Sequence, residues 1–88
     1  SATAEATGQT QLPLSRVKKI IKLDDDVRAC SNSGTFAVTI ATEMFIRHLC
    51  ERGLIMSRGE RRKQLLYRDI ATAVHKCDEL EFLSGEFS

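Results

Sequence analysis

The sequence has no tryptophan, one proline and three cysteines among its 88 residues. Because Cys30, Cys50 and Cys77 are odd in number and lack the spacing of a disulfide framework, they argue against a stapled secreted scaffold. Free thiols in a reducing compartment are the expectation. A chain of this length forms one small domain, whose core contributes only a few kcal/mol unless a partner, a metal or disulfides reinforce it.

Long apolar runs without charge are also absent. Glu43, Arg47, Glu51 and Arg52 interrupt the most apolar segment, whereas a membrane-spanning helix needs about 20 consecutive apolar residues. We therefore predict no membrane span, and we expect no signal peptide.

The net charge of +1 hides an uneven distribution of bases and acids. Residues 16–22 contain no acid, and Glu60 is the one acid within residues 58–63. The tail from Asp78 onward carries acids and no base, so the chain has charged faces. The first basic cluster consists of Arg16, Lys18, Lys19 and Lys22, and the second of Arg58, Arg61, Arg62 and Lys63.

The N-terminal segment changes character at about residue 12. Residues 1–11 are small and polar and predict a disordered arm, so the folded domain is expected over 12–88. Pro13 suits the first position of a short helix, where its missing N–H group costs nothing. This helix should end near Leu23, because the aspartates that follow would oppose the negative end of its dipole.

A long helix and two short ones are predicted after the acidic loop. Ser31 is the predicted N-cap of the long helix, which runs to about Ser57 and ends at Gly59 through a positive φ angle. Gly53 inside it costs about 1 kcal/mol relative to alanine. A third helix of about ten residues should end near Cys77. One or two further helical turns should then pack back through Leu80, Phe82 and Leu83.

The long central helix carries apolar residues on several sides, because helical positions step by about 100° each. Two flanking helices of about ten residues cannot cover both sides of a helix roughly 40 Å long. The chain is too small to build the missing core alone, so we predict an obligate two-chain assembly. The residues predicted to face the second chain are Phe36, Val38, Ile40, Met44, Phe45, Leu49 and Ile55.

Three segments carry a resemblance to a known family: LPLSRVKKIIKLDDDV at 12–27, ATEMFIRHL at 41–49 and RRKQLLYRDIATAV at 61–74. They resemble the histone-fold proteins related to the C subunit of nuclear factor Y. That group includes the small histone-fold subunits of DNA polymerase epsilon and of the chromatin accessibility complex. The resemblance implies an all-α histone fold with a short, a long and a short helix, a small C-terminal helix, and an obligate heterodimer.

The C-terminal segment DELEFLSGEF most resembles the small polymerase epsilon subunit. Gly85 and Glu86 fall where the nuclear factor Y subunit continues with an apolar helix. The resemblance implies a nuclear, non-catalytic subunit that pairs with a second histone-fold protein and supports replication and parental histone handling. Its further implied partners are duplex DNA, the large polymerase epsilon subunits and core histones. The alternatives are a subunit of a CCAAT-binding transcription factor or of a chromatin-remodelling complex.

The resemblance also implies site residues. In this family the first helix and the second loop contact DNA phosphates, and such contacts do not depend on base sequence. The alternative is that the lysines on the solvated side of the helix merely keep it soluble. A loop arginine pairs with an aspartate seven residues later, matching Arg62 and Asp69. Leu66 stands where a capping Ser or Thr is common, which predicts a looser start of the third helix, and Gln64 replaces a common Thr. The matching DNA-binding positions are Arg16, Lys18, Lys19, Lys22, Arg61, Arg62 and Lys63.

Catalytic and metal-binding patterns are not found. His48 and Cys50, like His75 and Cys77, lie two positions apart on a helix, so each pair points about 200° apart and cannot share an ion. The three aspartates lack the glycine and glutamate of a calcium loop. We therefore expect no catalytic residue, no metal site, no cofactor and no enzyme activity.

Overall fold

Helical segments account for the regular structure of the described residues. The computed structural model describes residues 9–87. Helix α1 spans Leu14–Ile21, α2 spans Asn32–Arg58, α3 spans Tyr67–Lys76, and a C-terminal 3₁₀ helix spans Asp78–Glu86. No β-strand occurs in the described part. This order of a short, a long and a short helix followed by a small C-terminal helix is the predicted all-α architecture.

The chain divides into two compact units within α2. The first unit ends at Phe45, and the second begins at Ile46. The predicted disordered arm over 1–11 falls largely on residues 1–8, which lie outside the described residues. Within the rest of the arm, Thr10 donates a hydrogen bond to the Leu12 carbonyl at 2.7 Å. Leu12, the first residue of the predicted domain, donates its amide to the Glu43 carboxylate at 2.7 Å.

In the first unit, α1 buries a single apolar side chain, Val17. Pro13 is the N-cap residue, with extended backbone angles, so its prediction as the first helical position was wrong by one residue. Its carbonyl accepts the amides of Arg16 and Val17, which begins the helix. The helix ends at Ile21, two residues before the predicted Leu23. One further turn of backbone hydrogen bonding reaches Leu23, whose amide donates to the Ile20 carbonyl at 3.0 Å.

The start of α2 is capped as predicted. The Ser31 hydroxyl accepts the Gly34 amide at 3.0 Å, and the Ser31 carbonyl accepts the Thr35 amide at 2.9 Å, which satisfies two donors of the first turn. Thr35 and Thr39 follow at helical spacing and are buried. Each hydroxyl donates to the carbonyl four residues earlier, so these polar groups are buried without loss of a hydrogen bond.

In the second unit, the buried apolar side chains come from α3 and the C-terminal 3₁₀ helix. Ala73, Val74 and Leu80 are at most 2% exposed. Leu83 is half-buried, but Phe82 is 71% exposed, so the prediction that Phe82 packs back was wrong. In a 3₁₀ helix, side chains three residues apart eclipse, which aligns Leu80 with Leu83 and turns Phe82 away from them.

Gly53 lies where α2 meets the segment that leads into α3. A methyl group at this position would lie 2.7 Å from Leu65 Cδ1 and 2.9 Å from Ile70 Cδ1. Both distances are shorter than carbon atoms tolerate, so an added side chain would displace two packed side chains at once. The propensity cost of a mid-helix glycine is therefore offset by close packing.

Arg61, rather than Gly59, has the positive φ angle that ends α2. The Arg62 amide donates to the Ser57 carbonyl at 3.3 Å, and the Arg61 amide donates to the Arg58 carbonyl at 3.1 Å. This is the paired pattern of a Schellman motif, whose left-handed position is normally glycine. Arg61 occupies that position with φ of 56°, so the prediction that Gly59 ends the helix in this way was wrong.

The loop between α2 and α3 is held by an ion pair. Arg62 and Asp69 form a bidentate pair with N–O distances of 2.7 and 2.8 Å. The Asp69 carboxylate also accepts the Leu66 amide at 2.8 Å, so the helix start is closed despite the apolar residue at its N-cap. The looser start that Leu66 predicted is not observed. We call this pair the Arg62–Asp69 clamp.

The clamp shifts the acidity of both partners. Hydrogen bonds from Arg62 lower the pKa of the buried Asp69 carboxyl from 3.8 to about 2, and the bond from the Leu66 amide acts in the same direction. Hydrogen bonds to Asp69 and then Glu60 raise the pKa of Arg62. Both groups are therefore charged at neutral pH.

Among residues 9–87, the structure has no helix that is long and apolar enough to span a membrane.

The backbone of Arg61 generates a stability prediction. Arg61→Gly should raise the free energy of unfolding by about 0.5–1 kcal/mol, because glycine adopts a positive φ without steric cost. Arg61→Ala retains a side chain at the strained position and should give no such gain. The measurement is denaturant unfolding of each purified protein. Equal stabilities for both variants would contradict the assignment of strain to this residue.

The clamp generates a pH prediction. Because the pKa of Asp69 is about 2 in the fold and 3.8 ordinarily, its stabilisation is present above pH 3.8 and is lost as the pH falls toward 2. Asp69→Asn should therefore lower stability at neutral pH, and the difference from the wild-type protein should shrink through that window. Asp25→Asn, in the exposed loop, is the matched control and should show no such convergence in urea-unfolding midpoints. A pH-independent difference for Asp69→Asn would rule out the ionic contribution.

Candidate nucleic-acid interface and subunit surface

The first basic cluster lies on α1 and its C-terminal end. Arg16, Lys19 and Lys22 are exposed, and Lys18 is half-buried. The Lys18 ammonium group donates to the Asn32 side-chain oxygen at 3.3 Å, which places it beside the first residue of α2. Lys18 and Lys19 lie in the last turn of α1, where the helix dipole favours cations. Three of the four predicted bases are therefore available to a ligand in solution.

The second basic cluster divides by role. Arg58, Arg61 and Lys63 are exposed. All five N–H donors of Arg62 have acceptors within the chain: Asp69 twice, the Gln64 carbonyl, and the Glu60 carboxylate from both Nε and Nη2. This geometry indicates that Arg62 holds the loop in place. Its neighbours Arg61 and Lys63 are exposed to solvent.

Arg68 adds a base that the sequence analysis missed. It lies in the first turn of α3, and its Nη2 donates to the two Glu60 oxygens at 3.0 and 3.2 Å. The Arg68 side chain is 65% exposed. Hydrogen bonds from Arg62, and then from Arg68, lower the pKa of Glu60. The pairing of Arg62 with Asp69 was the sequence signal that could have revealed Arg68. This pairing brings the start of α3 to the loop, and Arg68 directly precedes Asp69.

Apolar side chains remain exposed in the first unit. Of the residues predicted to face a second chain, Val38 is 42% and Met44 63% exposed, and Phe36, Ile40 and Phe45 are half-buried. Ile20 and Leu23, near the end of α1, are 66% and 76% exposed and were not among those predicted.

The second unit has the same excess of exposed apolar surface. The predicted Leu49 is half-buried and Ile55 is 43% exposed. Ile46, which was not predicted to face a partner, is 47% exposed. It precedes Ile55 by nine positions, which places the two side chains about 180° apart around the helix axis. One flanking element cannot cover both sides, so apolar surface remains on opposite faces of α2.

The histidines and cysteines have structural contacts. His48 Nε2 lies 3.0 Å from a Glu79 carboxylate oxygen, and His75 Nε2 lies 2.8 Å from the Phe87 carbonyl, so both rings contact the C-terminal segment. Hydrogen bonds from its own amide, and then from His48, lower the pKa of Glu79. The Thr35 hydroxyl donates to Cys30 Sγ at 3.3 Å. Within the described residues, no three His, Cys, Asp or Glu side chains converge in a geometry suited to a metal.

Comparisons with known proteins identify the family of this chain. Residues 10–74 match the family described as "Histone-like transcription factor (CBF/NF-Y) and archaeal histone". The chain is 45% identical over 73 residues to a DNA polymerase epsilon subunit of Debaryomyces hansenii and 37% identical over 76 residues to DNA polymerase epsilon subunit 4 of Drosophila melanogaster. It is 40% identical over 73 residues to nuclear transcription factor Y subunit gamma of Homo sapiens.

These alignments cover most of this chain but only part of each relative. They include 83%, 86% and 83% of the chain, which spans 26% of the fungal, 49% of the fly and 16% of the human protein. The predicted resemblance to the histone-fold group, with polymerase epsilon subunits and nuclear factor Y subunits among the relatives, is confirmed. The chain belongs to the family of histone-like transcription factors (CBF/NF-Y) and archaeal histones, and its fold is the histone fold.

Proposed function

We propose that the chain is a non-catalytic histone-fold subunit of DNA polymerase epsilon. In this proposal it pairs with a second histone-fold protein, and the pair binds duplex DNA without sequence preference. Two relatives whose names identify them as polymerase epsilon subunits support the assignment. The observation that carries the proposal of a binding subunit is the exposed apolar surface on opposite sides of α2. A second chain is needed to cover this surface.

The pairing rests on what α2 leaves uncovered. Among residues 9–87, only Val17, Ala73, Val74 and Leu80 are buried apolar side chains, and none of them lies on α2. Exposed apolar area is unfavourable by about 25 cal/mol per Å². Contact with a second chain would remove this area from water. The proposed interface includes the seven predicted residues together with Ile46.

The DNA contact rests on charge and exposure. Arg16, Lys19 and Lys22 in the first unit, and Arg61 and Lys63 in the second, present cations to solvent. Such side chains bind backbone phosphates by releasing counterions, which makes affinity depend on salt and not on base sequence. Lys18 takes part once it leaves Asn32, and Arg62 takes part by holding the loop. We propose no contact with base edges.

The larger assembly is proposed from the resemblance to polymerase epsilon subunits. The proposed partners are the large polymerase epsilon subunits and, for handling of parental histones at the replication fork, core histones. The proposed location is the nucleus. The identity of 40% to nuclear transcription factor Y subunit gamma supports the alternative of a CCAAT-binding factor subunit. A chromatin-remodelling complex is a further alternative. Selection of bound sequences from a random duplex pool separates them, because a polymerase subunit should enrich no motif.

Pairing can be tested on α2. Ile55→Asp should weaken association with the histone-fold partner more than a hundredfold, since an uncompensated buried charge costs about 3–5 kcal/mol. Ile55→Val keeps an apolar side chain at the same position and should pair normally. Sedimentation equilibrium of the co-expressed proteins measures both. Undiminished pairing of the aspartate variant would exclude this face from the interface, and a folded monomer of the isolated chain would contradict the need for a partner.

DNA binding can be tested on α1. Simultaneous replacement of Lys18, Lys19 and Lys22 by glutamate should weaken binding of the heterodimer to a random-sequence duplex. It should also reduce the slope of log affinity against log salt by about 0.9 for each phosphate that the variant no longer binds. Lys76→Glu reverses a charge at the end of α3 and should have a smaller effect than Lys19→Glu alone. Fluorescence anisotropy at several salt concentrations measures both quantities. Unchanged affinity and slope for the triple variant would remove α1 from the DNA interface.

A further inference from the structure

Glu60 lies between two arginine side chains at the end of α2. Its Oε2 accepts the Arg62 Nε–H at 3.0 Å and a second bond from Arg62 Nη2. Arg68 donates to both Glu60 oxygens at 3.0 and 3.2 Å. One carboxylate therefore bridges the loop arginine that forms the clamp and the arginine in the first turn of α3.

This arrangement has the chemistry of an occupied phosphate site. Two guanidinium groups around one anionic group of oxygen atoms are the usual means by which proteins recognise carboxylate and phosphate alike. The Glu60 and Arg68 side chains are 49% and 65% exposed, so the site is open to solvent. Arg62 is held separately by Asp69 and the Gln64 carbonyl, and these contacts do not depend on Glu60.

We propose that Glu60 is an internal substitute for a DNA phosphate, and that Arg68 is a phosphate-binding residue which Glu60 occupies in the free protein. The proposal rests on the DNA binding proposed above. When a duplex approaches the exposed Arg61 and Lys63, a backbone phosphate displaces the Glu60 carboxylate from Arg68. Arg62 stays in the clamp, so the loop keeps its backbone conformation during the exchange.

The exchange requires little reorganisation. Exposed ion pairs are individually weak, so the bond between Glu60 and Arg68 opens easily in water. A phosphate in its place returns the same type of charge-assisted hydrogen bond to Arg68. The phosphate must first separate Glu60 from Arg68, and this cost holds the affinity below what the exposed bases Arg61, Lys63 and Arg68 would otherwise provide.

The test compares Glu60→Gln, Arg68→Gln and the double variant as heterodimers on one random-sequence duplex, with anisotropy measured across a salt series. Glu60→Gln should raise affinity about two- to fivefold, the range that an exposed charge pair supports. Its salt slope should change by less than about 0.9, because Arg68 contacts the same phosphate in both proteins. In the Arg68→Gln background, the same substitution should give no gain. Thermal unfolding of each heterodimer verifies that the clamp remains intact.

Glu81→Gln is the matched control, since it removes one negative charge from the exposed 3₁₀ helix of the same unit. An equal gain from Glu81→Gln would overturn the proposal, because net charge would then explain the effect. A gain that persists in the Arg68→Gln background would also overturn it and would leave Glu60 as a simple repulsive charge. Failure of every heterodimer to bind the duplex would instead contradict the proposed function itself.

Discussion

The structure depends on a helix whose apolar side chains are covered only in part. α2 is 27 residues long, yet the side chains that it buries fully are the small polar ones of Thr35, Thr39 and Ser57. Each of these hydroxyls donates to a carbonyl at the start of or within its own helix, so the buried positions are satisfied without any partner element. The large apolar residues are left half-buried or exposed. This distribution is the reverse of the one that a self-sufficient helical domain has, where large apolar side chains fill the core. The proposed pairing follows from that constraint.

The segment from the end of α2 to the start of α3 is built by polar contacts rather than apolar packing. A Schellman motif with arginine at its left-handed position turns the chain, and the Arg62–Asp69 clamp joins the turn to α3. Such strain persists where the surrounding structure determines the conformation, and it is common at functional positions. Here the strained residue is also an exposed base in the middle of the second basic cluster. A glycine would relieve the strain but would remove a charge from the surface that we propose binds phosphate.

Helix periodicity and local capping chemistry predicted most of the fold. The presence of a short first helix, the cap at Ser31 and the ten-residue length of α3 depend on neighbours within a few positions, and these predictions agree with the structure. The prediction that Gly59 ends α2 was wrong because it inferred conformational freedom from residue type. The hydrogen bonds place the left-handed residue two positions further along the chain, at Arg61. Phe82 was expected to pack inward because it is large and apolar. Its direction depended on the 3₁₀ geometry of its segment, which composition does not reveal.

The sequence by itself determined the helical class, the order of the helices, the two basic clusters and the shortage of cover for α2, because periodicity, charge and length are properties of the chain. Only the tertiary structure decided how those groups are used. It placed all five donors of Arg62 on internal acceptors, brought Arg68 to Glu60, and made Gly53 a packing site against Leu65 and Ile70. These outcomes depend on distances between atoms that belong to separate helices or to a helix and the loop beside it. Local propensity does not specify such distances; the fold brings the groups together, and geometry then selects the partner of each charge.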